Sequence, residues 1–176
     1  QLALHTRAPR IVEGWLDTYA RGVARRAAAP AATGTARAQT LVTNPNYGVG
    51  STEYMRSRGG YGVTLECGQH DDPQGIQVAR HAILQTLALL NMVSRPLKTS
   101  AAEREILRLV DVTDREHAAD SFAREWRSFD AVQAGDLIGT RQSGAEVTAP
   151  HDGFVVFPNP RAEPGQEWFY MARRRA

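Results

Sequence analysis

The 176 residues hold a single cysteine, Cys67, so no disulfide can close within the chain, and the composition fits a reducing cytosol. Lysine is equally scarce: of the 21 basic residues only Lys98 is one, and the rest are arginines. No apolar run approaches the roughly 18–20 residues needed to cross a bilayer. Basic residues form no stripe interleaved with aromatics, which argues against a nucleic-acid footprint; only Arg25-Arg26 and Arg173-Arg174-Arg175 are adjacent. An initiating methionine is missing too. The chain opens on Gln1-Leu2-Ala3-Leu4-His5 without the layout of a signal peptide, so the natural N-terminus is expected to lie further upstream. What remains, 42% hydrophobic and 23% charged residues with a formal charge of +2, is the profile of a soluble globular protein of the cytoplasm. It requires neither a membrane nor a nucleic-acid partner and leaves room for a homo-oligomer.

Ile11, Trp15, Leu16, Tyr19 and Val23 recur at helical spacing and predict an amphipathic helix from Ile11 to about Ala28. Ala27–Ala38 and Asn44–Gly48 carry turn and loop residues. A short helix is expected over Ser51–Arg58, capped by Ser51 or Thr52. Tyr61-Gly62-Val63-Thr64-Leu65, bounded by Gly59-Gly60 and Gly68, reads as a short buried strand. Asp72 and Pro73 then suit the cap and first position of a helix whose apolar face is Ile76, Ala79, Ile83, Leu87 and Leu90. Strand, tight turn and helix in that order is an α/β unit, in which sites collect at strand C-terminal ends. Beyond Ser94-Arg95-Pro96, short β-forming segments (106–112, 131–140, 146–149, 153–157 and 168–171) alternate with Gly and Pro. The expected organisation is α/β over residues 1–95 and a small β-rich domain over 96–176.

Glu66 stands at the end of the expected strand, between Leu65 and Cys67. A carboxylate buried there would have its pKa raised by desolvation and would suit proton transfer near neutral pH; a strand-terminal Glu can equally serve as a salt-bridge or capping residue. Cys67 and His70 could form a nucleophile–base pair, although a packed thiol explains Cys67 as well. His70, Asp71 and Asp72 could gather a metal, but helix capping already accounts for Asp72. His81, His117 and His151 suggest no specific chemistry.

Read together, Gly59-Gly60-Tyr61-Gly62-Val63-Thr64-Leu65-Glu66-Cys67-Gly68-Gln69-His70 resembles the strand and turn of the succinylglutamate desuccinylase/aspartoacylase family. Phe129-Asp130, Gly135-Asp136-Leu137-Ile138-Gly139, Ala149-Pro150-His151-Asp152-Gly153, Phe157-Pro158-Asn159-Pro160 and Glu167-Trp168-Phe169-Tyr170 resemble its C-terminal β-domain. The likeness runs from about Trp15 to Tyr170, outside Ala27–Ala38. It implies the C-terminal part of a zinc-carboxypeptidase-like α/β/α fold that hydrolyses the amide of a small N-acylated, carboxylate-bearing substrate. Zinc there lowers the pKa of its bound water to roughly 7, and Glu66 would be the general base. Arg56 would hold a substrate carboxylate and Tyr170 would line the site; His70, read from its place on the turn after Glu66, would face the substrate or stand just behind it.

The family's zinc ligands, a His-x-x-Glu pair and a His in an Asp-Leu-His segment, come before the matching region. This chain has no His-x-x-Glu, and in Leu4-His5-Thr6 the residue ahead of Leu4 is Ala3 rather than Asp. Zinc is therefore expected to take ligands upstream of Gln1, and a catalytically incomplete fragment or binding module is the alternative. The Val147-Thr148-Ala149-Pro150 to Asp152-Gly153 stretch also resembles lipoyl and biotinyl carrier domains. Those need a lysine on a hairpin turn, and Lys98 is far upstream. A weaker rival is binding of acidic partners through the arginine tail, which would fade steeply with salt.

Overall fold

The computed structural model describes residues 2–6, 8–28, 49–68, 71–97 and 104–175. They form a 3-10 turn (Leu2–His5), three α-helices and eight strands, a mixed α/β architecture as expected. Two compact units result: Gln1–Ile11 with Val49–Glu105, and Val12–Gly48 with Ile106–Ala176. The loops expected within residues 29–48, and His70, lie outside the described residues.

The second unit is built on antiparallel pairing. The strands are β1 (Arg10–Glu13), β2 (Glu105–Asp114), β3 (Ser121–Phe122), β4 (Asp130–Val132), β5 (Leu137–Thr140), β6 (Glu146–Thr148), β7 (Gly153–Val156) and β8 (Glu167–Arg174), all in the second unit except for Arg10, Ile11 and Glu105 at the starts of β1 and β2. One sheet runs β1-β2-β8-β7-β4 and a smaller one β3-β5-β6. β8 is central to the larger sheet, so both of its faces are covered and Trp168 to Ala172 are buried without interruption. Phe169 and Met171 join Val132, Ile138 and Val155 in one core; Tyr170 and Ala172 join Leu107, Leu109 and Val112 in another. A two-sided central strand reads as a continuous apolar run, which is why Trp168–Met171 looked β-like without alternating. The stretch 131–140 is two strands, β4 and β5, separated by a turn at Gly135.

Helix α1 (Trp15–Ala28) starts later than the periodicity suggested. Ile11–Glu13 pair into the sheet as β1, and Gly14 breaks the run at φ +84°, where a Cβ would lie 2.9 Å from the Leu109 carbonyl oxygen. α1 is riveted along β2: Thr18 Oγ1 donates to the Leu109 carbonyl, Arg21 to that of Val110 and Arg25 to that of Val112. Arg26, whose side chain is only 6% exposed, bridges Asp114 at 2.7 Å and Glu167 at 2.9 Å. The adjacent Arg25-Arg26 pair is thus structural. So in part is the arginine tail, since Arg173 and Arg174 continue β8 opposite Arg108 and Leu107, and Arg175 reaches Glu13.

In the first unit, helix α2 (Ser51–Ser57) and helix α3 (Gly75–Leu89) flank the stretch that carries Glu66. α2 lacks the expected hydroxyl cap: Gly50 is its N-cap, and Thr52 spends its hydroxyl elsewhere. Asp72 caps the turn ahead of α3 by accepting from the Gln74 N–H at 2.8 Å, which moves the helix start to Gly75. No strand forms between Tyr61 and Leu65, a departure from the sequence expectation. β-forming residues favour extension, but a strand also needs a neighbour to pair with. Among the described residues no other strand pairs with this stretch. Consequently Tyr61 is 89% exposed and Val63 is exposed too.

Candidate functional site

Of the four residues singled out for chemistry, Glu66 and Arg56 belong to the first unit and Tyr170 to the second. His70 falls outside the described residues.

Arg56 is in the last turn of α2, which closes at Gly59 through the bond from the Gly59 N–H to the Arg56 carbonyl. The chain then doubles back on the helix. Gly62 lies so close to it that a Cβ there would sit 2.9 Å from Thr52 Cα; only glycine permits that approach without displacement. The contact brings the Gly62 carbonyl within reach of Arg56, whose Nη2 donates to it at 2.9 Å. Nη1 meets Glu53 Oε1 at 3.4 Å. Glu53 Oε2 in turn accepts from Thr52 Oγ1 at 2.6 Å. The Thr52 hydrogen bond, aided by the Arg56 charge, outweighs burial and holds the Glu53 carboxyl below its ordinary range. Arg56 remains more than half exposed, and among the described residues nothing accepts from its Nε. It is therefore oriented yet still able to take a ligand oxygen.

Glu66 follows four residues after Gly62, outside any helix or strand, with an exposed side chain. The burial expected of a strand-end carboxylate is absent, because the strand that would have produced it is not formed. Cys67 beside it is half-buried, with its thiol directed at the Leu65 carbonyl at 3.8 Å. The base weighed for it, His70, lies outside the described residues.

Tyr170 lies in β8 opposite Val112 and Val156. Its ring packs against Trp15 (5.1 Å between centroids) and edge-on to Phe157 (6.1 Å). The hydroxyl is buried and has no hydrogen-bond partner among the described residues. Burial, and after it the Glu167 charge, push the phenol above its ordinary pKa, so it stays a neutral donor.

No group of three His, Cys, Asp or Glu side chains among the described residues could hold a metal ion. His5 has a buried Nδ1 without a partner, but one imidazole does not make the roughly three-ligand set zinc requires. The described residues do not fit a zinc site by themselves. No helix among the described residues is long and apolar enough to cross a membrane.

Two features had been missed. Thr52 and Glu53 hold Arg56; the signal was a Thr-Glu pair three and four residues before an arginine on one short helix, and Thr52 had been read as a cap. Asp120 is a polar hub of the second unit, accepting from the backbone N–H groups of Glu116, His117 and Gln142 and from Arg141. Nothing local in the sequence announces that hub, because Arg141 and Gln142 lie on the far side of β5.

No protein-family model and no curated protein matches the sequence. Among solved structures, the chain is similar to succinylglutamate desuccinylase from Vibrio parahaemolyticus, with 17% identity and a TM-score of 0.47 over 65% of this chain and 33% of that one. The enzyme of the same name from Vibrio cholerae gives 19% identity and a TM-score of 0.45 over 57% and 31% of the two chains. A structure from Shewanella frigidimarina assigned as succinylglutamate desuccinylase/aspartoacylase gives 17% and 0.44 over 69% and 38%. The chain spans about a third of the length of each.

Proposed function

We propose that this chain supplies the general base and the carboxylate-holding arginine of a zinc-dependent hydrolase that cleaves the amide of an N-acyl amino acid or similar small carboxylate. The observation that carries the reading is the hydrogen bond from Arg56 to the Gly62 carbonyl. It ties α2 to the segment ending at Glu66 and leaves both side chains open to a ligand. The motif resemblance supplies the reaction class.

In this reading the guanidinium of Arg56 receives the substrate carboxylate through paired donors. The Glu66 carboxylate takes a proton from the attacking water as the C–O bond forms at the amide carbon, then returns it to the departing nitrogen as the C–N bond breaks. One water is consumed, and a carboxylate and an amine are released. Zinc would polarise the carbonyl and acidify the water, but its ligands would have to come from outside the described residues, upstream of Gln1. A cytoplasmic setting accompanies the proposal, on the strength of the lone cysteine.

Arg56→Ala in the zinc-loaded enzyme should raise KM for carboxylate-bearing substrates and leave kcat close to normal. An unchanged KM would remove Arg56 from the site.

A specific observation favours a second reading, that the chain is an incomplete piece or a binding module. The first unit exposes Ile76 and Ile83 on α3 and Leu90 at its C-cap, spaced seven residues apart, as well as Tyr61 and Met92. Metal analysis of the protein as its gene encodes it, not of these 176 residues alone, separates the two readings. About one tightly held zinc per chain supports a complete site, and none supports the incomplete piece.

A further inference from the structure

We infer that Glu53, held in place by Thr52, is a positioning residue that fixes the guanidinium of Arg56 for carboxylate recognition. The inference rests on the reading of Arg56 given above and assigns a role to the two residues that brace it. An arginine near the end of a seven-residue helix would ordinarily sweep through many rotamers, and ordering it at the moment of binding costs affinity. Here three contacts restrain it beforehand. Thr52 Oγ1 donates to Glu53 Oε2 at 2.6 Å, Glu53 Oε1 faces Arg56 Nη1 at 3.4 Å, and Arg56 Nη2 donates to the Gly62 carbonyl at 2.9 Å. Glu53 is the less exposed member of its ion pair, 13% against 58% for Arg56, so the brace is anchored at its carboxylate end and free at its guanidinium end. The close packing of Gly62 on Thr52 keeps the carbonyl and the hydroxyl on the same small platform.

Charge and orientation make opposite predictions, which renders the role testable. As a mere neighbouring negative charge, Glu53 would repel an anionic ligand, and Glu53→Gln would tighten binding. As a positioning residue its loss must weaken binding. Thr52→Val, which removes the hydroxyl while preserving shape and charge, must act in the same direction.

The test uses the 176-residue chain and two measurements. NMR relaxation at Arg56 Nε should report an ordered side chain in the wild type and a mobile one in Glu53→Gln and Thr52→Val. Equal mobility in all three overturns the inference. Titration with N-acetylglycine should then show binding weakened about three- to ten-fold in both variants, the loss of one hydrogen bond's net contribution. Unchanged or tighter binding in Glu53→Gln overturns it as well. Arg56→Ala is the separate control: if it binds N-acetylglycine as well as the wild type does, the carboxylate role of Arg56 falls, while the relaxation result still decides whether Thr52 and Glu53 order the side chain.

Discussion

Asp120→Asn is expected to destabilise the second unit by about 3 kcal/mol at neutral pH, the range for breaking a buried, hydrogen-bonded ion pair. Asp120 is 2% exposed. Its carboxylate accepts from Glu116 N at 2.8 Å, His117 N at 3.1 Å, Gln142 N at 2.9 Å and Arg141 Nη1 at 2.9 Å. An amide of the same size turns an N–H toward donors that need an acceptor, and it strands the Arg141 charge, whose other carboxylate partner, Glu116, is largely exposed. Burial alone would raise the Asp120 pKa. The Arg141 hydrogen bond and then the three backbone N–H groups outweigh it and hold the carboxyl at about 2, against an ordinary 3.8. That difference corresponds to about 2 kcal/mol of stability. Because the folded-state pKa is the lower one, this contribution is complete above about pH 4 and fades as the pH falls toward 2. Urea unfolding followed by tryptophan fluorescence reads the relevant unit, since Trp15, Trp126 and Trp168 all belong to it. The gap between wild type and Asp120→Asn should be widest at pH 5–7 and should shrink toward pH 2. A gap below about 0.5 kcal/mol at pH 7, the level of an ordinary surface change, or one that does not vary with pH, would refute the reasoning.

Tyr170→Phe removes a buried hydroxyl that has no partner, so stability should hold steady or rise by up to about 1 kcal/mol; a clear loss in the same urea assay would mean that the hydroxyl is bonded in solution. Gly62→Ala puts a methyl 2.9 Å from Thr52 Cα. It should detach the segment after Gly60 from α2, seen as faster amide hydrogen exchange in residues 54–60, at a cost of about 1–3 kcal/mol for overpacking; unchanged exchange would contradict the close contact.

What the sequence revealed and what it concealed divide along physical lines. Helix α3 was legible because its periodic apolar residues persist over fifteen positions. That pattern does not say what covers the apolar stripe, and among the described residues Ile76, Ile83 and Leu90 stay exposed while Ala82, Gln85 and Ala88 are buried. β2 and β8 were legible as β-forming runs; their pairing across some sixty residues was not, since register depends on partners distant in sequence. Ile11 fits a helical pattern but lies in a strand, because the sheet edge and the left-handed turn at Gly14 outweigh a weak local preference. Tyr61–Leu65 had the composition of a strand and no neighbour. Glu66 was singled out by its place at the end of an expected strand and then by motif order, Arg56 by motif order alone, and the Thr52–Glu53 brace is visible only in the fold, where the Gly62 carbonyl lies over α2.

The central claim is that Glu66 carries the proton in amide hydrolysis, and the most direct test is turnover by Glu66→Gln in the enzyme that joins this chain to its zinc ligands. The substitution keeps size and polarity but cannot accept the proton. With zinc content and fold unchanged, kcat should fall by about 10²- to 10⁴-fold, the usual contribution of a general base. Near-normal turnover with full zinc occupancy would contradict the account.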